Sequence, residues 1–131
     1  MHAIPHAAGC ALVLALVSSA PGWGAEPASS LEAAFGNTIV STHPDGRKAR
    51  LWLRRDGGYD AQGRAGERSG GVWTVKGEKL CLTQRRPWPI PFSYCKPIPP
   101  VAVGKPWRDK AVNGDPVTNE VLPGSEGSSH R

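Results

Sequence analysis

Turn-forming residues break this chain at intervals too short for long helices. It carries 16 glycines and 13 prolines in 131 residues, nearly twice average usage. Such punctuation argues against a helical bundle or a coiled coil. After residue 36 the segments between turns are short and rich in alternating apolar and polar residues, which is the pattern of half-buried strands. Asn37 to Thr42 is an extended run, and His43-Pro44-Asp45-Gly46 has the residue order of a type I turn. Arg47 to Arg54 alternates, Asp56-Gly57 marks a hairpin, and Tyr59 to Arg64 returns. The Gly-rich, charged stretch from Ala65 to Gly70 reads as a loop. Gly71 to Lys76, Lys79 to Gln84 and Phe92 to Pro97 read as further strands. Asn113-Gly114 then separates Trp107 to Val112 from Val117 to Leu122. The expected fold is all-β, a small antiparallel meander or barrel of seven or eight short strands. One short helix, roughly Ser30 to Phe35, precedes it. Ser29-Ser30-Leu31-Glu32 supplies a capping box and Gly36 a stop.

The first 25 residues contain no charged side chain, and Ala7 to Val17 form an apolar stretch of 11 residues. That length suits a signal-peptide core and is about half of what a transmembrane helix needs. Residues 1–24 are therefore expected to be a cleaved signal peptide, with cleavage after Gly24 or Ala25. Residues 26–122 form a single β domain, and 123–131 a flexible polar tail. The rest of the chain has no apolar run that would span a bilayer. The expected location is outside the cytoplasm, periplasmic or extracellular.

Export decides how the cysteines are read. Cys10 leaves with the signal, so Cys81 and Cys95 remain, an even number in an oxidising compartment. A thiol nucleophile and a metal pair are the competing readings, but two cysteines 14 apart with no CxxC make a poor zinc site. Register supports a disulfide. If Cys81 faces Cys95, Leu82 faces Tyr94 and Gln84 faces Phe92, so the apolar residues share the inner face and the sulfurs the other. Trp73, in phase with Val75, is expected in the core.

Phe35-Gly36-Asn37-Thr38, Leu51 to Leu53 before Asp56-Gly57-Gly58-Tyr59, Gly71-Val72-Trp73-Thr74-Val75, Leu80-Cys81 and Tyr94-Cys95 follow one another in this order. The chain from Phe35 to Lys96 thereby resembles small exported bacterial domains of unknown function with a lipocalin-like antiparallel β fold. The resemblance implies a barrel or half-barrel and an envelope location. It implies no activity, so it transfers no catalytic residue.

Chemistry-bearing motifs are sparse. His43 sits in an expected turn and His130 beside the last residue. No spacing joins either to a nucleophile. Asp45, Asp56 and Asp115 flank turns, no pair of carboxylates reads as buried, and the glycines lack phosphate-loop spacing. No catalytic residue, metal site or cofactor is expected, and the chain reads as non-enzymatic.

Charge carries more information. The chain is +5 overall, but Arg47 to Lys96 holds 12 basic and 4 acidic residues, a local +8. Alternation places Arg50, Trp52 and Arg54 on one strand face and Ala49, Leu51 and Leu53 on the other. Arg85-Arg86-Pro87-Trp88-Pro89-Ile90-Pro91 repeats the combination of arginine and tryptophan in a loop that its prolines hold extended. The candidate ligand-binding residues are Arg50, Trp52, Arg54, Arg85, Arg86 and Trp88, facing an anionic partner such as an envelope polymer, a lipid headgroup or an acidic protein. Export sets nucleic acid aside as a partner. Against this stands a plainer reading, in which Trp52 packs on arginine stems and Trp88 folds over a barrel end. The leading expectation is an exported, envelope-associated binding module; the alternative is a lipocalin-like carrier of a small apolar ligand. A filled interior with a continuous basic face favours the first, an apolar cavity the second.

Overall fold

A computed structural model describes residues 27–125. The expected signal peptide and the tail beyond Ser125 lie outside the described residues. Eight antiparallel strands form one curled sheet: β1 (Thr38–Thr42), β2 (Lys48–Leu53), β3 (Gly58–Gln62), β4 (Arg68–Lys76), β5 (Lys79–Arg86), β6 (Tyr94–Pro97), β7 (Trp107–Lys110) and β8 (Pro116–Leu122). The order across the sheet is β6-β5-β4-β3-β2-β1-β8-β7. The meander therefore runs from β1 to β6. The chain then crosses to the far edge, where the β7–β8 hairpin adds to β1 through pairs such as Val40 with Glu120. The sheet is a half-barrel, closed by backbone on one side and left with β6 and β7 as free edges.

Four connections share one design. In His43–Arg47, Arg54–Gly58, Gly63–Glu67 and Ala111–Asp115, the first residue donates its N–H to the fifth and accepts from the fourth. The fourth residue is always glycine with φ between 87° and 94°, a region that residues with a Cβ rarely enter. Each is a tight turn with a glycine bulge, which preserves the strand twist. Asp45 and Asp56 reinforce two of them by accepting the N–H two residues on, at 2.9 and 2.8 Å.

In place of the short helix from about Ser30 to Phe35 that the capping box suggested, residues Pro27–Ala34 form a 3₁₀ helix. It closes one end of the half-barrel. Leu31 and Ala34 are fully buried and pack with Ile39, Leu53, Tyr59, Leu80 and Val121. Outside this plug, Glu32 pairs with Arg55, whose guanidinium lies 4.9 Å from the Phe35 ring centre. Phe35 stacks on Trp73 at 5.7 Å, and the Trp73 indole N–H donates to the Arg54 carbonyl at 2.7 Å. Trp73 thus packs on the core, half-buried, at the plugged end.

Two segments differ from the sequence reading. Arg68 to Gly70, expected in a loop, belong to β4 and pair with β3 from Gln62 to Asp60. Glycine is required here by close approach. A Cβ on Gly71 would lie 2.0 Å from the Thr83 carbonyl oxygen, beside a bulge in the β4–β5 ladder. Phe92 does not face Gln84; β6 starts two residues later and Phe92 is 70% exposed. Pro87, Pro89 and Pro91 have no N–H to extend the ladder, so past Tyr94 the regular pairing gives way to a bond between the Thr83 and Ser93 hydroxyls at 2.5 Å and one from the Ile90 N–H to the Gln84 carbonyl at 3.1 Å.

The cysteine register is as read. Cys81 faces Cys95 and Leu82 faces Tyr94. The sulfurs are bonded at 2.05 Å, with Cα atoms 4.0 Å apart, close because the residues are directly opposed on antiparallel strands.

Candidate functional site

The curl leaves the concave face incompletely filled. A cleft of about 240 Å³ runs between the free edges. Its walls are Ile39 and Leu51 from the sheet floor, Leu80 and Leu82 from β5, Tyr94 from β6, and Trp107 and Val117 from the β7–β8 hairpin. Alternation explains the lining, because each strand sends every second side chain to this face. One buried donor lies in the wall. The Trp107 indole N–H is the sole buried side-chain polar atom without a hydrogen-bond partner among the described residues, a condition that folded proteins rarely leave unexplained.

A polar group borders the cleft away from the helix plug. Ser41 donates to Asn119 Oδ1 at 2.5 Å. His43, expected on the surface of a turn, is buried and lines the cleft. Its Nδ1–H donates to Asp115 Oδ2 at 3.2 Å. Asp115 also accepts from Arg64 at 2.9 Å and from Asn113 at 3.1 Å. The bond from His43, then that from Asn113, holds the Asp115 carboxyl below the usual carboxylate range, and the Arg64 charge adds to this. The sequence showed a turn histidine; only the β7–β8 hairpin, 72 residues away, buries it.

At the side, Lys96 on β6 bridges the gap. Its Nζ lies 2.5 Å from Asp109 Oδ2 and donates to the Lys110 carbonyl at 2.7 Å. These two polar contacts of Lys96 bridge a seam that elsewhere in the sheet a full backbone ladder closes.

The candidate residues are dispersed. Arg50, Trp52 and Arg54 do alternate to the convex face, but they do not form an open basic surface. Trp52 is 2% exposed. Arg68 covers its ring at 5.6 Å, and its N–H donates to Thr38 Oγ1 at 2.8 Å, which in turn donates to the Gly124 carbonyl. Arg54 is committed to Asp60, at 2.6 Å, and to Asp56, at 3.4 Å. Asp60, unremarked in the sequence, is a buried carboxylate that Arg86 also grips at 3.0 Å. A buried charge needs such partners. The plainer reading of Trp52 therefore holds, while that of Trp88 does not: Trp88 is 65% exposed. It stands over a shallow depression with Arg50 and Arg68. Arg85 is exposed.

Among the described residues no three His, Cys, Asp or Glu side chains are grouped to hold a metal ion. No helix there is long and apolar enough to cross a membrane. No family model matches the chain, and no curated protein or solved structure matches it.

Proposed function

We propose that this chain is an exported, non-enzymatic binding module, lipocalin-like in architecture, whose ligand is a small, mainly apolar molecule held in the cleft between β6 and β7. The observation that carries this reading is the unfilled apolar interior. Protein interiors normally close to crystal-like packing, and an apolar concavity with a few placed polar groups is the usual form of a small-ligand site. At about 240 Å³ the cleft suits a ligand below drug size. An acceptor on that ligand would satisfy the Trp107 N–H. Signal-like residues 1–24 and the Cys81–Cys95 disulfide support export. The surface-binding reading that leads in the sequence, through Arg50, Trp52 and Arg54, is weakened by the burial of Trp52 and the commitment of Arg54 to Asp60.

The test is titration with an uncharged apolar fluorophore such as N-phenyl-1-naphthylamine. Saturable binding at one site per chain is expected, with loss of binding in Ala49→Phe, which projects a ring into the cleft, and in Leu82→Gln. Absence of saturable binding, or binding that both variants retain, overturns the proposal.

A further inference from the structure

The two ends of the half-barrel differ in chemistry. Strand directions place the 3₁₀ helix, the Arg54–Gly58 turn and the β6–β7 crossover at the plugged end. The other end gathers the His43–Arg47 and Gly63–Glu67 turns, the β5–β6 connection and the Ala111–Asp115 turn. The three most exposed large apolar side chains among the described residues all lie at this second end: Val112 at 78%, Phe92 at 70% and Trp88 at 65%. Trp88 and Phe92 belong to one short connection whose three prolines limit its freedom, and whose fold is fixed by Ile90 N–H to the Gln84 carbonyl and Gln84 Nε2 to the Trp88 carbonyl, each at 3.1 Å. Apolar side chains are thus held outward on a braced loop instead of folding onto the core.

Cations border Trp88 and Phe92, and the acidic Asp45 and Asp115 of the same end are each paired, with Arg47 and with Arg64. Arg85 and Lys48 are exposed at this end, and Arg50 and Arg68 border the depression under Trp88. Glu67 is the acidic residue that lines the same depression, and Asp60 is already held by Arg54 and Arg86. We infer that this end of the half-barrel docks on an anionic lipid surface, with Trp88 and Phe92 entering the interfacial layer and the arginines meeting the headgroups. Aromatic side chains prefer that layer, and basic side chains gain from the surface potential of anionic lipid. A polysaccharide fits less well. From Arg85 to Phe92 no side chain carries a hydrogen-bond acceptor for sugar hydroxyls, and isoleucine and phenylalanine offer only apolar area. The inference is independent of what fills the cleft, although Tyr94, two residues after Phe92, leads from the docking loop into its wall.

Vesicle sedimentation of the mature chain tests it, using phosphatidylcholine alone and phosphatidylcholine with about one-third phosphatidylglycerol. The protein is expected to bind the mixed vesicles at least about tenfold more tightly than the neutral ones, with the preference falling as salt is raised. Trp88→Ala/Phe92→Ala should lower the affinity about tenfold or more, and Arg85→Ala by a smaller factor. Arg108→Ala, an exposed arginine on the β7 edge, should leave it unchanged. All four side chains are exposed, so unchanged melting temperatures are expected to accompany these results. No binding to mixed vesicles overturns the inference. So does equal binding by the double aromatic variant, or binding to a soluble anionic polysaccharide without binding to vesicles.

Discussion

Lys96 on β6 and Asp109 on β7 join two strands that lie at opposite ends of the sheet order, Nζ to Oδ2 at 2.5 Å. Both side chains are 29% exposed, so solvent screens the pair and its contribution to stability is small. Asp109→Asn or Lys96→Met should lower unfolding free energy by about 1 kcal/mol or less. The same variants should speed release of a cleft-bound fluorophore severalfold, because the pair spans the gap through which the cleft is bordered. Stopped-flow dilution reads the release rate. An unchanged rate would show that the seam is not where the ligand leaves.

Trp52 on β2 and Trp73 on β4 should rank in the reverse of what their sequence surroundings suggest. Trp73 sits in phase with the core but is half-buried at its edge, whereas Trp52 lies among arginines yet is 2% exposed and hydrogen-bonded to Thr38. Trp52→Ala should cost about 3–5 kcal/mol, and Trp73→Ala about 2–3 kcal/mol through loss of the Phe35 stack and partial burial. Urea denaturation of the two variants gives the order directly; a smaller loss for Trp52→Ala contradicts the packing described for the convex face.

Cys81 and Cys95 close a loop across a sequence separation of 14. In the chain-entropy account a loop of this size is worth about 3 kcal/mol. Reduction, or the double change to Ser, should therefore shift the denaturation midpoint well down without altering the register of Leu82 with Tyr94. Coincident unfolding curves with and without reductant would contradict a bond that constrains the unfolded chain.

Asp115 predicts an acid sensitivity of defined sign. Its carboxyl titrates below the ordinary value of 3.8 in the folded chain, chiefly because His43 donates to it. The unfolded chain therefore binds this proton more readily. The stabilisation is complete above the unfolded pKa and is lost as pH falls through the folded one. Asp115→Asn should flatten the decline in stability below about pH 4, measured as denaturant midpoint against pH. An unchanged acid limb would mean that other carboxylates, such as Asp45 beside Arg47, dominate it.

The strands were readable because their boundaries are local. Proline, aspartate, asparagine and glycine mark the turns, and alternation assigns the faces, so Leu51 and Leu53 go inward and Cys81 outward from residues within a few positions of one another. Burial of the convex face was not readable. Trp52 is covered by Arg68 and tied through Thr38 to Gly124, and Arg54 is neutralised by Asp60. None of these relations has a sequence period. His43 is concealed by Asp115 for the same reason. Gly70 looks like a loop residue and Gly71 like an ordinary strand start until the Arg86 side chain and the Thr83 backbone occupy the space a Cβ would take. Whether the interior is hollow or filled has no local signature, and the few large aliphatic residues promise no large cavity.

The pairing of β8 with β1 also has a temporal side. Thr38 meets Leu122 and Ile39 meets Val121, so β1 gains one of its two neighbours only after the whole meander between them has been made. Contacts this distant form late and slowly, because the intervening loop must be ordered first. While the chain is still growing, Ile39 and Leu31 lack Val121, the side chain that completes their cluster. A chain wired in this order postpones the final compaction of its core until β8 has been made.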